Sequence, residues 1–100
     1  VIVLMNNGVL GMVRQWQTLF FGKRYSNTVL TRQTDFVQLA KAFGAEGVLA
    51  ETPVEFKRAF EAALKSGKPT VIDARIDKDE MVLPMLPPGG AISDIIAKVK

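Results

Sequence analysis

The sequence predicts an α/β fold, a partial parallel sheet with flanking helices, on three observations. Val1 to Met5 is continuously apolar and rich in β-branched residues, the pattern of a strand covered on both faces. Two further short apolar runs, Gly47 to Ala50 and Thr70 to Ile76, read as strands. Stretches with helical apolar spacing separate them, and alternation of this kind implies a mainly parallel sheet.

Asn6-Asn7-Gly8 ends the first strand with turn chemistry. Met12, Trp16, Leu19 and Phe20 then recur at helical spacing, which predicts a helix from Gly11 to Phe21 stopped by Gly22. Lys23 to Thr34 is polar and mixed, and reads as a loop. Thr34 or Asp35 caps the next helix, whose core face is Phe36, Leu39, Ala40 and Phe43, with Gly44 closing it. After the second strand, Thr52-Pro53-Val54-Glu55 joins a capping box to a proline at the first helical position. Phe56, Ala59, Phe60 and Ala63 form the buried stripe of that helix, and Gly67 ends it. Past the third strand, a Pro- and Gly-rich stretch leads to Ile92, Ile95, Ile96 and Val99 at i, i+3, i+4, i+7 spacing, predicting a short final helix. Residues 1–79 are expected to form the body of the domain. Residues 80–100 are expected to form its C-terminal loop and short helix.

Composition narrows the chemistry. Hydrophobic residues make up 48% of the 100 residues, a globular proportion. The chain has no cysteine and no histidine, which removes disulfides, thiolate metal sites and the commonest general base. A metal held here has to be a hard, oxygen-preferring ion such as magnesium. The net charge is +3, with basic residues scattered among acids rather than gathered in the stripe of a nucleic-acid binder. No apolar run approaches the roughly twenty residues of a membrane span. The first residues lack the basic region and cleavage site of a signal peptide. The chain opens on a buried-type strand without an initiating methionine, and three strands leave a sheet edge unfinished. Both features create the expectation that it is cut from a longer protein.

Ligands of open α/β sheets sit beyond the carboxyl ends of the strands, where Asn6-Asn7-Gly8 lies. An asparagine oxygen is a neutral, hard donor suited to magnesium that shares diphosphate oxygens. Gly8 lets the backbone approach closely, and the helix starting near Gly11 aims its N-terminus at the same place. Taken alone, Asn-Asn-Gly also fits an ordinary strand-ending turn, and Met12, Trp16 and Phe20 fit a core face. Arg14 and Arg24 could contact a carboxylate or phosphate but fit solvated arginines more simply, with Arg24 structural. The period-two spacing of Asp73, Asp77 and Asp79 fits one solvated face more simply than a metal cluster.

The run Leu4-Met5-Asn6-Asn7-Gly8-Val9-Leu10-Gly11-Met12-Val13-Arg14-Gln15-Trp16-Gln17 resembles the second half of the thiamine-diphosphate motif of acetolactate synthase (acetohydroxyacid synthase) large subunits. The similarity continues through Leu19-Phe20-Phe21, Arg24-Tyr25-Ser26 and Asp35-Phe36-Val37. It extends to Leu83-Pro84-Met85-Leu86-Pro87-Pro88-Gly89-Gly90, which resembles the family's C-terminal loop. The resemblance implies the C-terminal portion of a thiamine-diphosphate-binding fold. It makes the Asn7 side chain and the Val9 carbonyl magnesium ligands, with Asn6, Gly8, Gly11 and Met12 beside the cofactor. Met12, Trp16 and Phe20 would line the substrate channel, Trp16 favouring 2-ketobutyrate over pyruvate as acceptor, and Trp16 and Phe20 match positions of the family's herbicide pocket.

The activity implied is decarboxylation of pyruvate and condensation of the two-carbon unit with pyruvate or 2-ketobutyrate, in branched-chain amino acid biosynthesis. The parent would be a flavoprotein carrying FAD in another domain, a homodimer or tetramer, with a regulatory small subunit as a possible partner. The family's aspartate metal ligand and activating glutamate are not in this sequence, so the isolated chain is expected to be inactive. Proline at position 88 looks bacterial, which implies a cytoplasmic location; a eukaryotic member would sit in a plastid or mitochondrion. Related enzymes such as glyoxylate carboligase or pyruvate oxidase, and a non-enzymatic α/β module, are the alternatives.

Overall fold

The fold follows from where each apolar run can be covered. In a computed structural model describing residues 1–32 and 34–98, the elements are β1 (Ile2–Asn6), α1 (Gly11–Phe20), α2 (Phe36–Ala42), β2 (Glu46–Ala50), α3 (Pro53–Ser66) and β3 (Thr70–Arg75). The strands pair in the order β1-β3-β2, all parallel. Leu4 lies opposite Asp73, Asn6 opposite Arg75, and Leu49 opposite Asp73 on the other side. The central position of β3 explains its burial: Thr70, Ile72, Asp73 and Ala74 are all buried.

Side chains alternate across a strand, so each face meets a different helix. Ala50, Ile72 and Val48 on one face pack with Ala59 and Phe56 of α3. On the other face a Cβ at Gly47 would lie 2.5 Å from the carbonyl oxygen of Val37, so α2 lies directly on the β2 backbone. The turn before α3 is locally determined. Thr52 Oγ1 accepts from the Glu55 amide at 3.2 Å, and the Glu55 carboxylate accepts from the amides of Thr52 and Glu51 at 3.1 and 2.8 Å. Asp35 caps α2 by accepting from the Gln38 amide at 2.9 Å.

Several expectations need correction. Phe43 is 84% exposed rather than part of a core face. The helix ends at Ala42, on a sheet only three strands wide, and leaves the ring uncovered among the described residues. Leu39 is exposed for the same reason, and Phe60 is half-exposed while stacking on Phe56 at 5.9 Å. β1 is an edge strand and is not covered on both faces: Ile2 and Met5 are exposed. The cause is α1, which ends at Phe20 and stands off the sheet instead of returning over it.

The predicted final helix is absent among the described residues. Only a single 3₁₀ turn forms at Ile92–Asp94, and Val99 lies outside the described residues. Ile92 is 85% exposed and finds no surface to cover, and Ile96 pairs with Met85 in an antiparallel bridge through bonds of 2.8 and 2.9 Å. So short a helix is marginal without packing. The radius of gyration, 16.7 Å, exceeds the roughly 13 Å of a compact 100-residue domain. No described helix is long and apolar enough to cross a membrane.

Candidate functional site

At the carboxyl end of β1, the two asparagines shape the turn with their own side chains. Asn6 Oδ1 accepts from the Gly8 amide and Asn7 Oδ1 from the Val9 amide, both at 3.2 Å. The chain reverses through Gly8 at φ +67°, a conformation that a side chain disfavours. Val9 is then fixed against Val29: the Leu10 amide donates to the Thr28 carbonyl at 2.8 Å and the Leu30 amide to the Gly8 carbonyl at 3.0 Å. Among the described residues, no hydrogen bond reaches the Val9 carbonyl itself.

Gly11 opens α1 directly beside Asn7. A Cβ there would lie 2.7 Å from Asn7 Nδ2, so the absence of a side chain is what seats the Asn7 amide over the helix start. The helix has no side-chain cap and no acid in its first turn. Its first amides therefore keep their partial positive charge at this end.

Behind the turn, Asn6 Nδ2 donates to Asp73 Oδ1 at 2.8 Å, and Arg75 Nη2 approaches Asp73 Oδ2 at 3.3 Å. Asp73 is 2% exposed, which corrects the solvated-face expectation: β3 is central, and its carboxylate is held between an amide donor and a guanidinium. The Asn6–Val9 turn forms one wall of a cleft of about 250 Å³, which Arg32, Arg75 and Lys78 also line. An adjoining opening of about 430 Å³ shares Thr34 and Arg75 and reaches Leu49 and Asp73. Together they run across the carboxyl ends of all three strands, with three cations along the cleft. Among the described residues, no three carboxylates gather into a metal site.

α1 is oriented by its polar face. Arg14 and Gln15 are buried. Arg14 Nε donates to Asp79 Oδ1 at 2.7 Å, and its guanidinium lies 3.9 Å over the Tyr25 ring. That hydrogen bond holds the Asp79 carboxyl below the usual carboxylate range and raises Arg14 above its ordinary value. Arg14 is thus no solvated arginine, whereas Arg24 is exposed and bonds the Phe21 carbonyl at 3.2 Å. Gln15 holds the chain at Val82 from the same face.

The predicted site residues fall into two groups. Asn6, Asn7, Gly8 and Val9 line the cleft and Gly11 adjoins it. Met12, Trp16 and Phe20 lie outside it on the opposite, exposed face of α1, at 48%, 39% and 39% exposure, so they are not a core stripe in this chain. Trp16 meets Phe20 edge to face at 5.8 Å. Sequence reasoning missed Arg32, Arg75 and Lys78. Only Arg75 left a signal, as a cation near the end of the third predicted strand; its register with Asn6 comes from the fold.

Comparison with known proteins gives a consistent picture. Residues 1–74 match the family described as thiamine pyrophosphate enzyme, C-terminal TPP binding domain. The chain is 44% identical over 98 residues to the acetolactate synthase isozyme 2 large subunit of Escherichia coli, covering 98% of this chain and 18% of that protein. It is 39% identical over 100 residues to a probable acetolactate synthase large subunit of Methanocaldococcus jannaschii, covering 100% and 17%. To the acetolactate synthase large subunit of Corynebacterium glutamicum it is 43% identical over 99 residues, covering 94% and 16%. The chain spans less than a fifth of the length of these relatives.

Proposed function

This chain belongs to the thiamine pyrophosphate enzymes, through their C-terminal TPP-binding domain, and we propose that it is a segment of an acetolactate synthase large subunit. In this reading it anchors magnesium and the cofactor's diphosphate. The single observation that carries it is the geometry around Asn7. An amide oxygen has two acceptor positions. The Val9 amide takes one of those on Asn7 Oδ1. The other, and the Val9 carbonyl two residues on, are available to a hard cation.

The surroundings fit the anion as well as the metal. The uncapped start of α1 presents backbone amides, and Arg32, Arg75 and Lys78 supply positive charge along the cleft. Gly11 leaves the room that Asn7 occupies. When bound, thiamine diphosphate would supply the nucleophilic carbon for the keto group of pyruvate and an electron sink for the pair left behind as carbon dioxide departs. This chain's residues bind and orient. Asn7 and the Val9 carbonyl hold the metal, Asn6 and Gly8 fix the turn, and the α1 amides meet the diphosphate. Met12, Trp16 and Phe20 present an apolar wall on the exposed side of α1, suited to the side chain of a second 2-ketoacid such as 2-ketobutyrate.

For the whole protein, the reading extends to transferase activity in branched-chain amino acid biosynthesis, FAD in another domain, a homodimer or tetramer with a regulatory small subunit, and a cytoplasmic location. The test is to assay the full-length enzyme carrying this chain with pyruvate alone, pyruvate plus 2-ketobutyrate, and glyoxylate. Expected are 2-acetolactate and 2-aceto-2-hydroxybutyrate, formed only with thiamine diphosphate and magnesium. Carboligation of glyoxylate alone, or turnover indifferent to the cofactor, contradicts the proposal.

A further inference from the structure

We propose that Asp73 is a positioning residue for the metal-diphosphate site, acting through the side chain of Asn6. The inference rests on the reading of Asn7 as a metal ligand. Asp73 touches none of the atoms offered to the metal, yet it is 2% exposed and faces the same side of the sheet as Asn6. A buried carboxylate needs strong partners. Here one oxygen accepts from Asn6 Nδ2 at 2.8 Å and the other faces Arg75 Nη2 at 3.3 Å.

This arrangement fixes which way the Asn6 amide points. With Nδ2 committed to Asp73, Oδ1 is turned to the Gly8 amide at 3.2 Å. That bond shapes the reversal through Gly8, from which the Asn7 side chain and the Val9 carbonyl emerge. Without Asp73 the amide is free to rotate, the Gly8 bond is no longer enforced, and the two metal donors lose their common orientation. The contact spans 67 residues, so it ties the turn after β1 to the central strand rather than to its own loop. The same carboxylate holds Arg75 at the mouth of the cleft.

The experiment measures magnesium and thiamine-diphosphate dissociation constants on the full-length apoenzyme, with thermal melting of the same samples. D73A is expected to weaken both by about tenfold. D73N, whose amide oxygen still accepts from Asn6, should stay within about threefold of wild type. N6A should weaken binding to a similar degree, and D73A should add nothing in the N6A background, the signature of one residue acting through another. Additive losses, or unchanged constants in D73A, overturn the proposal. Should D73A not fold, the exchange N6D/D73N replaces it. N6D alone sets carboxylate against carboxylate, and the exchange restores one donor and one acceptor. Recovered affinity supports the proposal, and affinity no better than N6D overturns it. N7A is run in parallel: if it leaves magnesium affinity intact, the metal reading itself fails, whatever Asp73 does.

Discussion

Gln15 and Val82 exchange two hydrogen bonds: the Gln15 Oε1 accepts from the Val82 amide at 2.8 Å, and Nε2 donates to the Val82 carbonyl at 3.0 Å. One side chain thus serves as a strand partner for a segment 67 residues away. Replacing the buried Gln15 removes both bonds that tie Val82 to α1, and Val82, itself exposed, turns to water instead. Q15L should release residues 81–85 from α1, with Asp79 still held by Arg14. Hydrogen exchange at the Val82 amide should accelerate at least tenfold while β3 amides stay protected. Unchanged exchange at Val82 would mean the clamp is incidental.

The Arg14–Asp79 pair predicts a pH dependence of definite sign. Asp79 is depressed in the folded chain, so its contribution is fully present above the ordinary aspartate value of about 3.9. It is lost as pH falls through the lower folded value. The stability difference between wild type and D79N, from denaturant unfolding, should be largest at neutral pH. It should shrink at pH 3 and below. A difference that grows on acidification contradicts the assignment.

Gly11→Ala separates stability from binding. Alanine favours helix over glycine by up to about 1 kcal/mol in a helix interior and by less at the first residue, and the atom in its way is the movable end of Asn7. The melting temperature should hold or rise, while magnesium affinity of the full-length enzyme falls about tenfold. Equal affinity would show that Asn7 does not need its place over the helix start.

The capping box is a local device, so its loss should have a local price. Thr52→Ala removes the acceptor for the Glu55 amide and should cost about 1 kcal/mol in denaturant unfolding. Magnesium binding should be untouched, because α3 packs on the sheet face opposite Asn6.

How much was legible in the sequence depended on the range of the interaction. The Thr52–Glu55 box, the Asp35 cap and the Asn6-Asn7-Gly8 turn are written within three or four residues, and all appear as read. Asp73 was misread because its partner Asn6 is 67 positions away and alternation says nothing of which face is covered. For Arg14 the sequence left a carboxylate contact beside solvation, and only the fold brings in the partner, Asp79, 65 positions away. The final helix failed differently. Its apolar spacing is real, yet Ile92 has no surface to meet and Ile96 is taken by Met85. On α1 the spacing of Met12, Trp16 and Phe20 marked a true face, but one turned outward while Arg14 and Gln15 hold the inner side.

The role of Asn7 as a ligand of the divalent metal can be measured directly. Manganese can stand in for magnesium, and its free aquo ion has a distinct electron paramagnetic resonance signal. Titrating manganese into the full-length apoenzyme with thiamine diphosphate counts free metal, and bound metal by difference, without reference to turnover. N7A is expected to weaken manganese binding by tenfold or more while the enzyme melts at the wild-type temperature without cofactor. Wild-type manganese affinity in N7A would contradict it.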